Sequence, residues 1–246
     1  MRAMILAAGK GTRLRPLTES VPKPLVDVAG RPMIAFALQL LRQAGIQDII
    51  INLHHLGHQI RAALGDGTRY GVQISYSEEN PILDTGGAIE AARAFLQEDT
   101  FVVANADLVT DLQLRDVIAF HRSRGALATL VLRPDPQAER RDDIGIDDTQ
   151  RIRRFLSRAY GGPLPGTSER YMFASVHVFE PRVFDYMRPG VYSITRDVYP
   201  RLLAAGEPIL GYVHHGYWRV LDTPHDLRAG REELANWRDG SPEQLY

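Results

Sequence analysis

The feature that most constrains the fold of this chain is an alternation of short apolar runs with longer stretches of helical periodicity. The short runs are rich in Val, Ile and Leu and predict strands at residues 3–8, 48–53, 72–76, 101–105 and 126–132. The intervening stretches predict helices at residues 32–44, 57–64, 86–96 and 112–124. Repeated strand-helix units of this kind predict a doubly wound, mostly parallel sheet, that is, a Rossmann-like α/β fold.

From residue 133 onward the pattern changes to shorter and more varied segments. Strands are predicted at residues 144–147, 152–155, 171–179, 209–213 and 217–221, and helices at residues 182–187, 194–205 and from His225. This pattern of short strands and helices favours a small mixed lobe that follows the parallel half. Because no free linker separates the two parts, we expect a single domain over residues 1–246.

Composition excludes several classes of function. The net charge of −1 and the pI near 6.7 leave no excess positive field for nucleic acid or anionic lipid. The chain has no cysteine, which excludes disulfides, thiol catalysis and thiolate metal ligands. The apolar run at residues 3–8 is too short for a signal-peptide core or a membrane span. We therefore expect a cytoplasmic protein with no nucleic-acid or membrane partner.

A glycine-rich segment, LAAGKGTRLRP at residues 6–16, follows the first predicted strand directly. A strand that runs into such a turn places backbone N–H groups at the carboxyl edge of the sheet, where they can converge on phosphate oxygens. Gly9 and Gly11 suit that role, Arg13 and Arg15 follow, and prolines flank Lys23. Together these residues predict a polyphosphate clamp, and the alternative is a tight surface turn with solvated arginines.

Lysine usage singles out the same segment. Only two of the 29 basic residues are lysine, Lys10 and Lys23, and both lie in or beside the glycine loop. Lysine offers a compact, mobile point charge, whereas arginine offers a rigid planar fork. A chain that otherwise uses arginine is therefore expected to need an ammonium here, with sequence drift as the alternative.

Two further segments carry candidate site residues. Asp107 follows the strand predicted at residues 101–105, at the edge where open α/β sheets bind ligands, and its carboxylate suits Mg²⁺; alternatively it caps a helix. The segment LDTGGA places Gly86 and Gly87 at a helix start, where a base or sugar could approach closely; a plain turn and N-cap is the alternative. Glu78 and Glu79 are expected to lie in a solvated loop.

The segment MILAAGKGTRLRPLTESVPKPLVDVAGRPMI at residues 4–34 resembles the signature loop of the sugar-phosphate nucleotidyltransferases, also called nucleotide-sugar pyrophosphorylases. The resemblance is to the small single-domain bacterial type. It continues through INLHHLGHQI, LDTGGAIEAA and NADLVTDL, and more weakly through GYWRVLDTPHDL. It implies the reaction NTP + sugar 1-phosphate ⇌ NDP-sugar + pyrophosphate with Mg²⁺, carried out by a nucleotide-binding half (1–132) and a sugar-binding and C-terminal half (133–246).

The resemblance also implies residue roles. Arg13 would hold the β- and γ-phosphates and Lys23 would neutralise the α-phosphate, as the catalytic pair, while Asp107 would bind the metal. The implied nucleotide-binding set is Leu6, Ala8, Gly9, Gly11, Thr12, Arg13, Lys23 and Gly86. The implied sugar-phosphate set is Asn105, Gly87 and Arg158.

The sequence departs from the family pattern in two places. Where many members have W-x-D-x-G-T-P, this chain has Val220 at the metal aspartate and Asp222 two residues later. In an extended segment Asp222 would point to the same face about 6 to 7 Å away, so it either replaces the missing ligand or N-caps the next helix. The family's E-K-P corresponds to Ser157, Arg158 and Ala159.

Two functions follow from this pattern. The first is a nucleotidyltransferase similar to mannose- or heptose-1-phosphate guanylyltransferases or to N-acetylmuramate-1-phosphate uridylyltransferases, which uses GTP or UTP and a sugar 1-phosphate. The second is a catalytically degenerate homologue that binds a nucleotide or nucleotide sugar and regulates a partner. The sequence leaves the base and the sugar open, and it is compatible with a homo-oligomer.

Overall fold

The protein is described from a computed structural model, which covers residues 1–135, 137, 143–162 and 169–237. The chain forms two compact units. The first unit consists of Met1, Leu83–Val103 and Arg115–His215, and the second of Arg2–Ile82, Ala104–Leu114 and Gly216–Tyr246. Each unit is therefore built from separate stretches of the sequence.

The regular elements of the described residues follow in chain order. The strands are β1 (Arg2–Leu6), β2 (Asp27–Val28), β3 (Arg31–Pro32), β4 (Asp48–Leu53), β5 (Gln73–Glu78), β6 (Phe101–Asn105), β7 (Leu108–Thr110), β8 (Ala128–Pro134), β9 (Gly145–Ile146), β10 (Ile152–Phe155), β11 (Arg158–Ala159), β12 (Tyr171–Phe179), β13 (Ile209–Val213) and β14 (Trp218–Val220). The helices are α1 (Ile34–Gln43), α2 (Gly57–Leu64), α3 (Asp84–Ala91), α4 (Arg93–Leu96), α5 (Leu114–Ser123), α6 (Tyr199–Ala204) and α7 (Pro224–Trp237).

The second unit contains the parallel strands that the sequence predicts. Its sheet has the order β6, β1, β4, β5, to which β6 contributes its last two residues. Strands β1 and β4 pair in parallel with Ala3 opposite Ile49, and β4 and β5 pair in parallel with Asp48 opposite Gln73. The interiors of β1 and β4 are buried, as expected for parallel strands covered on both faces.

A second core in the same unit joins the glycine loop to later parts of the chain. Strands β7 and β14 pair antiparallel, with Val220 opposite Leu108. The residues buried together beside this pair are Leu14, Val26, Val28, Met33, Phe36, Val109, Leu221, Leu227 and Leu234. Apolar burial therefore anchors the loop, α1, β7 and α7 to one another.

The first unit contains both parallel and antiparallel pairs. Its larger sheet has the order β13, β8, β12, β6, to which β6 contributes its first three residues. Strand β13 is parallel to β8, whereas β12 is antiparallel to β8 with an irregular register between Phe173 and His177. The same unit contains a three-stranded antiparallel sheet of β11, β10 and β9. These findings confirm the mostly parallel α/β fold class.

Several predicted boundaries are wrong. Ala7 and Ala8 lie outside β1, because the Ala7 N–H donates to Asn52 Oδ1 instead of to a strand. The helix predicted at 86–96 begins at Asp84 and is interrupted at Ala92. The segment predicted as a helix at 182–187 is a 3₁₀ helix, Pro181–Tyr186, and the helix predicted at 194–205 opens with a π-helical turn, Ile194–Val198.

No helix within the described ranges combines the length and the apolarity that crossing a membrane requires.

Candidate active site

The glycine loop leaves β1 at Leu6 and turns through two glycines with different roles. A Cβ atom built on Gly9 would meet no heavy atom within 4 Å, so the surface beside Gly9 is open. Gly11 has a φ of 59°, in the left-handed region. A Cβ on Gly11 would lie 3.0 Å from the Cβ of Lys23 and 3.0 Å from Cγ2 of Thr18. Gly11 is therefore required both for the turn and for the close approach of Lys23.

Thr12, Arg13 and Leu14 form a short 3₁₀ helix after the turn. The Thr18 hydroxyl donates to the Gly11 carbonyl oxygen at 2.7 Å, and the Leu14 N–H donates to the same oxygen at 3.0 Å. Leu14 is buried in the second-unit core, while the Arg13 side chain is 70% exposed. The loop thus presents Arg13 outward from an anchored turn.

Lys23 begins another short 3₁₀ helix, Lys23–Leu25, in which it is flanked by Pro22 and Pro24. Its side chain is only 11% exposed. The Nζ atom donates to Asp107 Oδ2 at 2.5 Å and to Asp222 Oδ1 at 2.8 Å, and the other oxygen of Asp222 pairs with the Arg13 guanidinium. We call Arg13, Lys23, Asp107 and Asp222 the Lys23 cluster, in which two positive and two negative side chains meet.

The backbone that carries the two carboxylates explains their convergence. Asp107 lies between β6 and β7, and Asp222 follows β14, the antiparallel partner of β7. The Leu221 N–H donates to the Asp107 carbonyl oxygen at 3.0 Å. Pairing of β7 with β14 therefore places Asp222 beside Asp107, although the two residues are far apart in sequence.

The structure excludes one of the two alternatives for Asp222. Helix α7 is capped by Thr223: its Oγ1 accepts from the Asp226 N–H at 3.1 Å, and Asp226 Oδ2 accepts from the Thr223 N–H at 3.0 Å. Partial burial opposes ionisation of Asp226, but the hydrogen bonds from Thr223 hold its pKa below the usual value. Since this reciprocal cap is complete without Asp222, the N-cap interpretation of Asp222 is wrong.

Asp107 and Asp222 supply the oxygen ligands that Mg²⁺ prefers. The Oδ1 atom of Asp107 is buried and has no hydrogen-bond partner within the described ranges, so a cation would satisfy it. Those ranges hold no group of three or more Asp, Glu or His side chains arranged for a metal ion. The chemistry therefore fits a cation that is held by a carboxylate pair and whose coordination is completed by other ligands.

A buried polar network, which the sequence pattern alone does not reveal, fixes the start of the loop. Asn52 Oδ1 accepts from the Ala7 N–H at 2.7 Å, and Asn52 Nδ2 donates to Glu79 Oε1 at 2.7 Å. Asn52 is 4% exposed and Glu79 is 5% exposed. The expected solvated position is therefore wrong for Glu79, whereas Glu78 is exposed and pairs with Arg61. The available signal was an asparagine that follows three isoleucines in β4.

The predicted residues of the first unit show other constraints. A Cβ on Gly86 would lie 2.4 Å from Tyr192 Cε2, and one on Gly87 would lie 2.0 Å from the Gly190 carbonyl oxygen. Both glycine N–H groups donate to the Tyr192 carbonyl oxygen, at 2.9 and 3.2 Å. Packing within the unit thus explains why these positions are glycine, and ligand binding by Gly86 and Gly87 stays a prediction.

Arg158 is exposed and lies in β11, directly after a two-residue turn. Leu156 and Ser157 have φ values of 50° and 61°, typical of a hairpin turn that matches the twist of its strands. Asn105, of the second unit, ends β6, and the next residue, Ala106, donates its N–H to the Leu6 carbonyl oxygen at 3.1 Å. The sugar-phosphate roles of Arg158 and Asn105 stay predictions.

Comparison with known families agrees with this geometry. Residues 2–237 match the family described as Nucleotidyl transferase. The chain belongs to the nucleotidyl transferase family. This membership confirms the resemblance inferred from the glycine loop, and the nucleotidyl transferase match extends over both units.

The relatives of this nucleotidyl transferase include proteins of three specificities. A UTP–glucose-1-phosphate uridylyltransferase of Synechocystis sp. is 37% identical, over 85% of this chain and 56% of the relative. A Mycobacterium tuberculosis mannose-1-phosphate guanylyltransferase is 37% identical, over 98% of this chain and 66% of the relative. An N-acetylmuramate alpha-1-phosphate uridylyltransferase of Neisseria meningitidis serogroup B is 34% identical, over 97% of this chain and 100% of the relative. The chain thus spans less than two thirds of the first two relatives.

Solved structures show the same fold. A Bacillus anthracis protein crystallised with sucrose has a TM-score of 0.82 and 24% identity, covering 100% of this chain and 98% of that one. HddC from Yersinia pseudotuberculosis, solved in complex with GMP-PN, has a TM-score of 0.77 and 22% identity. The match covers 95% of this chain and 99% of that one. At these identities the likeness supports the nucleotidyl transferase fold alone.

Proposed function

We propose that this protein is a sugar-1-phosphate nucleotidyltransferase, which converts an NTP and a sugar 1-phosphate into an NDP-sugar and pyrophosphate. The observation that carries the proposal is Lys23 Nζ, held between Asp107 and Asp222 beside the glycine loop of a nucleotidyl transferase. All three relatives described above are named for transfer of a nucleotidyl group to a sugar 1-phosphate. Membership of this family and the charge arrangement support the same reaction.

The reaction makes one bond and breaks one. An oxygen of the sugar 1-phosphate bonds to the α-phosphorus of the NTP, and the bond from that phosphorus to the oxygen bridging to the β-phosphorus breaks. The electron pair leaves with pyrophosphate. Since charge accumulates on non-bridging and leaving oxygens, catalysis requires cations at fixed positions more than a covalent nucleophile.

The Lys23 cluster has the groups for this task. We assign Arg13 to the β- and γ-phosphates and Lys23 to the α-phosphate. We assign the backbone N–H groups of the loop between Gly9 and Thr12 to contacts with the triphosphate. The cluster balances its own charges, because each cation is paired with a carboxylate. A triphosphate would draw Arg13 and Lys23 away from the carboxylates, which would then be free for a cation that accompanies the nucleotide.

Mg²⁺ is the cation that we propose for Asp107 and Asp222. When bound there it would neutralise phosphate charge and orient the triphosphate for in-line attack. The orphaned Oδ1 of Asp107 and the convergence of two carboxylates support this assignment. Asp222, two residues after Val220, would thus supply the second carboxylate.

The proposed substrates are GTP or UTP and a hexose-like or heptose-like sugar 1-phosphate. The guanylyltransferase and the uridylyltransferases among the relatives support both bases. We assign Asn105, Gly87 and Arg158 to the sugar phosphate and Leu6, Ala8 and Gly86 to the nucleotide, following the family resemblance. The non-catalytic alternative was motivated by the loss of an aspartate at Val220, and the position of Asp222 beside Asp107 argues against it.

The test is pyrophosphate release across a panel of NTPs and sugar 1-phosphates with Mg²⁺. We expect one or two pairs to be turned over efficiently, and Asp107→Asn to lower turnover on those pairs by about 10²-fold or more. Asp116→Asn, the same chemical change at an exposed position on α5 outside the Lys23 cluster, serves as the matched control. If no pair releases pyrophosphate while GTP or UTP still binds, the proposal is wrong.

A further inference from the structure

A basic pocket of about 200 Å³ lies in the second unit beside α1. Its lining residues are Arg31, Ala35, Gln39, Arg42, Arg69 and Tyr70. Half of these residues are arginines, and in the described part of the chain none of the lining residues carries a carboxylate. The pocket shares no residue with the Lys23 cluster.

The three arginines are brought together by separate elements. Arg31 lies in β3, Arg42 on the last turn of α1, and Arg69 in a 3₁₀ turn, Thr68–Tyr70. That turn is framed by Gly67 and Gly71, with φ values of 90° and 71°. Positive φ at both ends of the turn is a conformation that glycine adopts without strain.

Gly71 also makes room for Arg42. A Cβ atom at Gly71 would lie 3.1 Å from Arg42 Cδ and 3.5 Å from one of its terminal nitrogens. The Arg69 guanidinium lies 4.7 Å from the Tyr70 ring centroid and donates a hydrogen bond to the Tyr70 hydroxyl. Arg42 thus packs against Gly71, and Arg69 packs against Tyr70.

Gln39 supplies an independent indication of a ligand. It lines the pocket, is 8% exposed, and its Oε1 accepts from the Arg31 guanidinium at 2.8 Å. That bond fixes the amide orientation, so that the other amide atom, Nε2, is a donor. Nε2 is buried and has no hydrogen-bond partner within the described ranges. A buried donor left unpaired costs stability, and a ligand oxygen in the pocket would remove that cost.

We propose that this pocket binds a small phosphate-bearing anion, of the class of pyrophosphate or a sugar phosphate, outside the substrate site. Three guanidiniums and one amide N–H match the oxygens of a phosphoryl group. The volume is below the 300–1,000 Å³ or so that is usual for larger organic ligands, which favours a compact anion.

The test is isothermal titration of the full chain, without Mg²⁺, with pyrophosphate, inorganic phosphate or glucose 6-phosphate. Because the Lys23 cluster could also bind anions, titrations are made in an Arg13→Gln/Lys23→Gln background. We expect one binding event there, with pyrophosphate the tightest probe. Adding Arg42→Gln and Arg69→Gln should weaken it by at least about tenfold, as expected for the loss of charge-assisted hydrogen bonds.

Two further variants distinguish specific binding in the pocket from nonspecific attraction of anions by the positive charge of the protein. Gln39→Met, of similar volume but without the amide donor, should weaken binding severalfold at unchanged net charge. Arg115→Gln with Arg228→Gln removes two exposed arginines outside the pocket and should leave binding unchanged. The proposal is overturned if the background binds none of the probes, if the pocket variants bind as tightly as the background, or if this control weakens binding as much as the pocket pair.

Discussion

Two regions of the molecule pair acidic with basic side chains in opposite ways. In the Lys23 cluster two carboxylates converge on one ammonium, and the fourth member, Arg13, is 70% exposed. In the second region, next to β12, one carboxylate is held by two arginines: Asp143 accepts from Arg154 and from Arg170, each at 2.9 Å, and its side chain is 5% exposed. We call Asp143, Arg154, Arg170 and His177, which lies within β12, the β12 region.

This difference suggests that the Lys23 cluster is a ligand-binding site and that the β12 region stabilises the fold. The Lys23 cluster has an unpartnered carboxylate oxygen and an exposed outer cation, so its pairings can be exchanged for those of a ligand. In the β12 region Asp143 is buried, and exchange of its arginine partners would leave its charge buried and unpaired. We therefore expect substitutions in the first region to change catalysis and those in the second to change stability.

The largest effect is expected for Lys23→Ala. Removing the ammonium takes away the cation assigned to the α-phosphate, so kcat/KM should fall by about 10²–10³-fold. Because Lys23 is buried between two carboxylates, the thermal unfolding temperature is measured with Mg²⁺, which would offset their charges, and should then change little. Lys10→Ala, which alters the only other lysine of the chain, is the matched control and should lose far less. A Lys23→Ala enzyme with wild-type kcat/KM would contradict the role of Lys23.

Asp143→Asn should show the opposite behaviour. Its φ of 40° is one that asparagine tolerates, so the change mainly removes the charge that Arg154 and Arg170 share. Loss of one partner of a buried ion pair costs about 3 kcal/mol, measured as the free energy of unfolding in urea. The kcat per folded molecule should change less than threefold or so. Asp148→Asn, nearby and exposed, should leave stability unchanged, and an Asp143→Asn protein as stable as wild type would break the comparison.

The pH dependence of stability should reveal His177. Burial lowers the pKa of His177 to about 3, and its ring packs 4.2 Å from that of Phe173 and hydrogen-bonds to the Tyr199 hydroxyl. The unfolded chain takes up a proton near pH 6.5 but the folded chain does not. Stability is therefore full above pH 6.5 and falls as the pH drops towards 3, by about 1.4 kcal/mol per unit.

Urea unfolding at pH 7 and pH 5 measures this effect. His177 alone should account for a loss of about 2 kcal/mol between these values, and His177→Gln should lose correspondingly less. His225→Gln, which alters a side chain that is 81% exposed, should keep the wild-type pH dependence. Equal pH slopes in wild type and His177→Gln would show that His177 is not held neutral by the fold.

The two regions also differ in how far the sequence could predict them. The loop glycines, Arg13, Lys23 and Asp107 follow buried strands, and their local order along the chain was enough to indicate a phosphate-binding edge. Asp222 was ambiguous because its position depends on pairing of β14 with β7, a contact between distant segments. Glu79 and Asn52 were missed for the same reason, since a hydrogen bond between the ends of neighbouring strands leaves no periodic signal.

The smallest predicted effect decides whether Asp222 has replaced the aspartate missing at Val220. Asp222→Asn keeps the shape and the position set by β14 but removes one negative charge from the proposed cation site. The Mg²⁺ concentration for half-maximal activity should rise by about tenfold, equivalent to about 1.4 kcal/mol. The matched control is Asp226→Asn, which changes the net charge equally four residues later but weakens the cap of α7. It should lower the unfolding temperature and leave Mg²⁺ activation unchanged. If both variants shift Mg²⁺ activation equally, the effect comes from the general field, and Asp222 is not the second carboxylate.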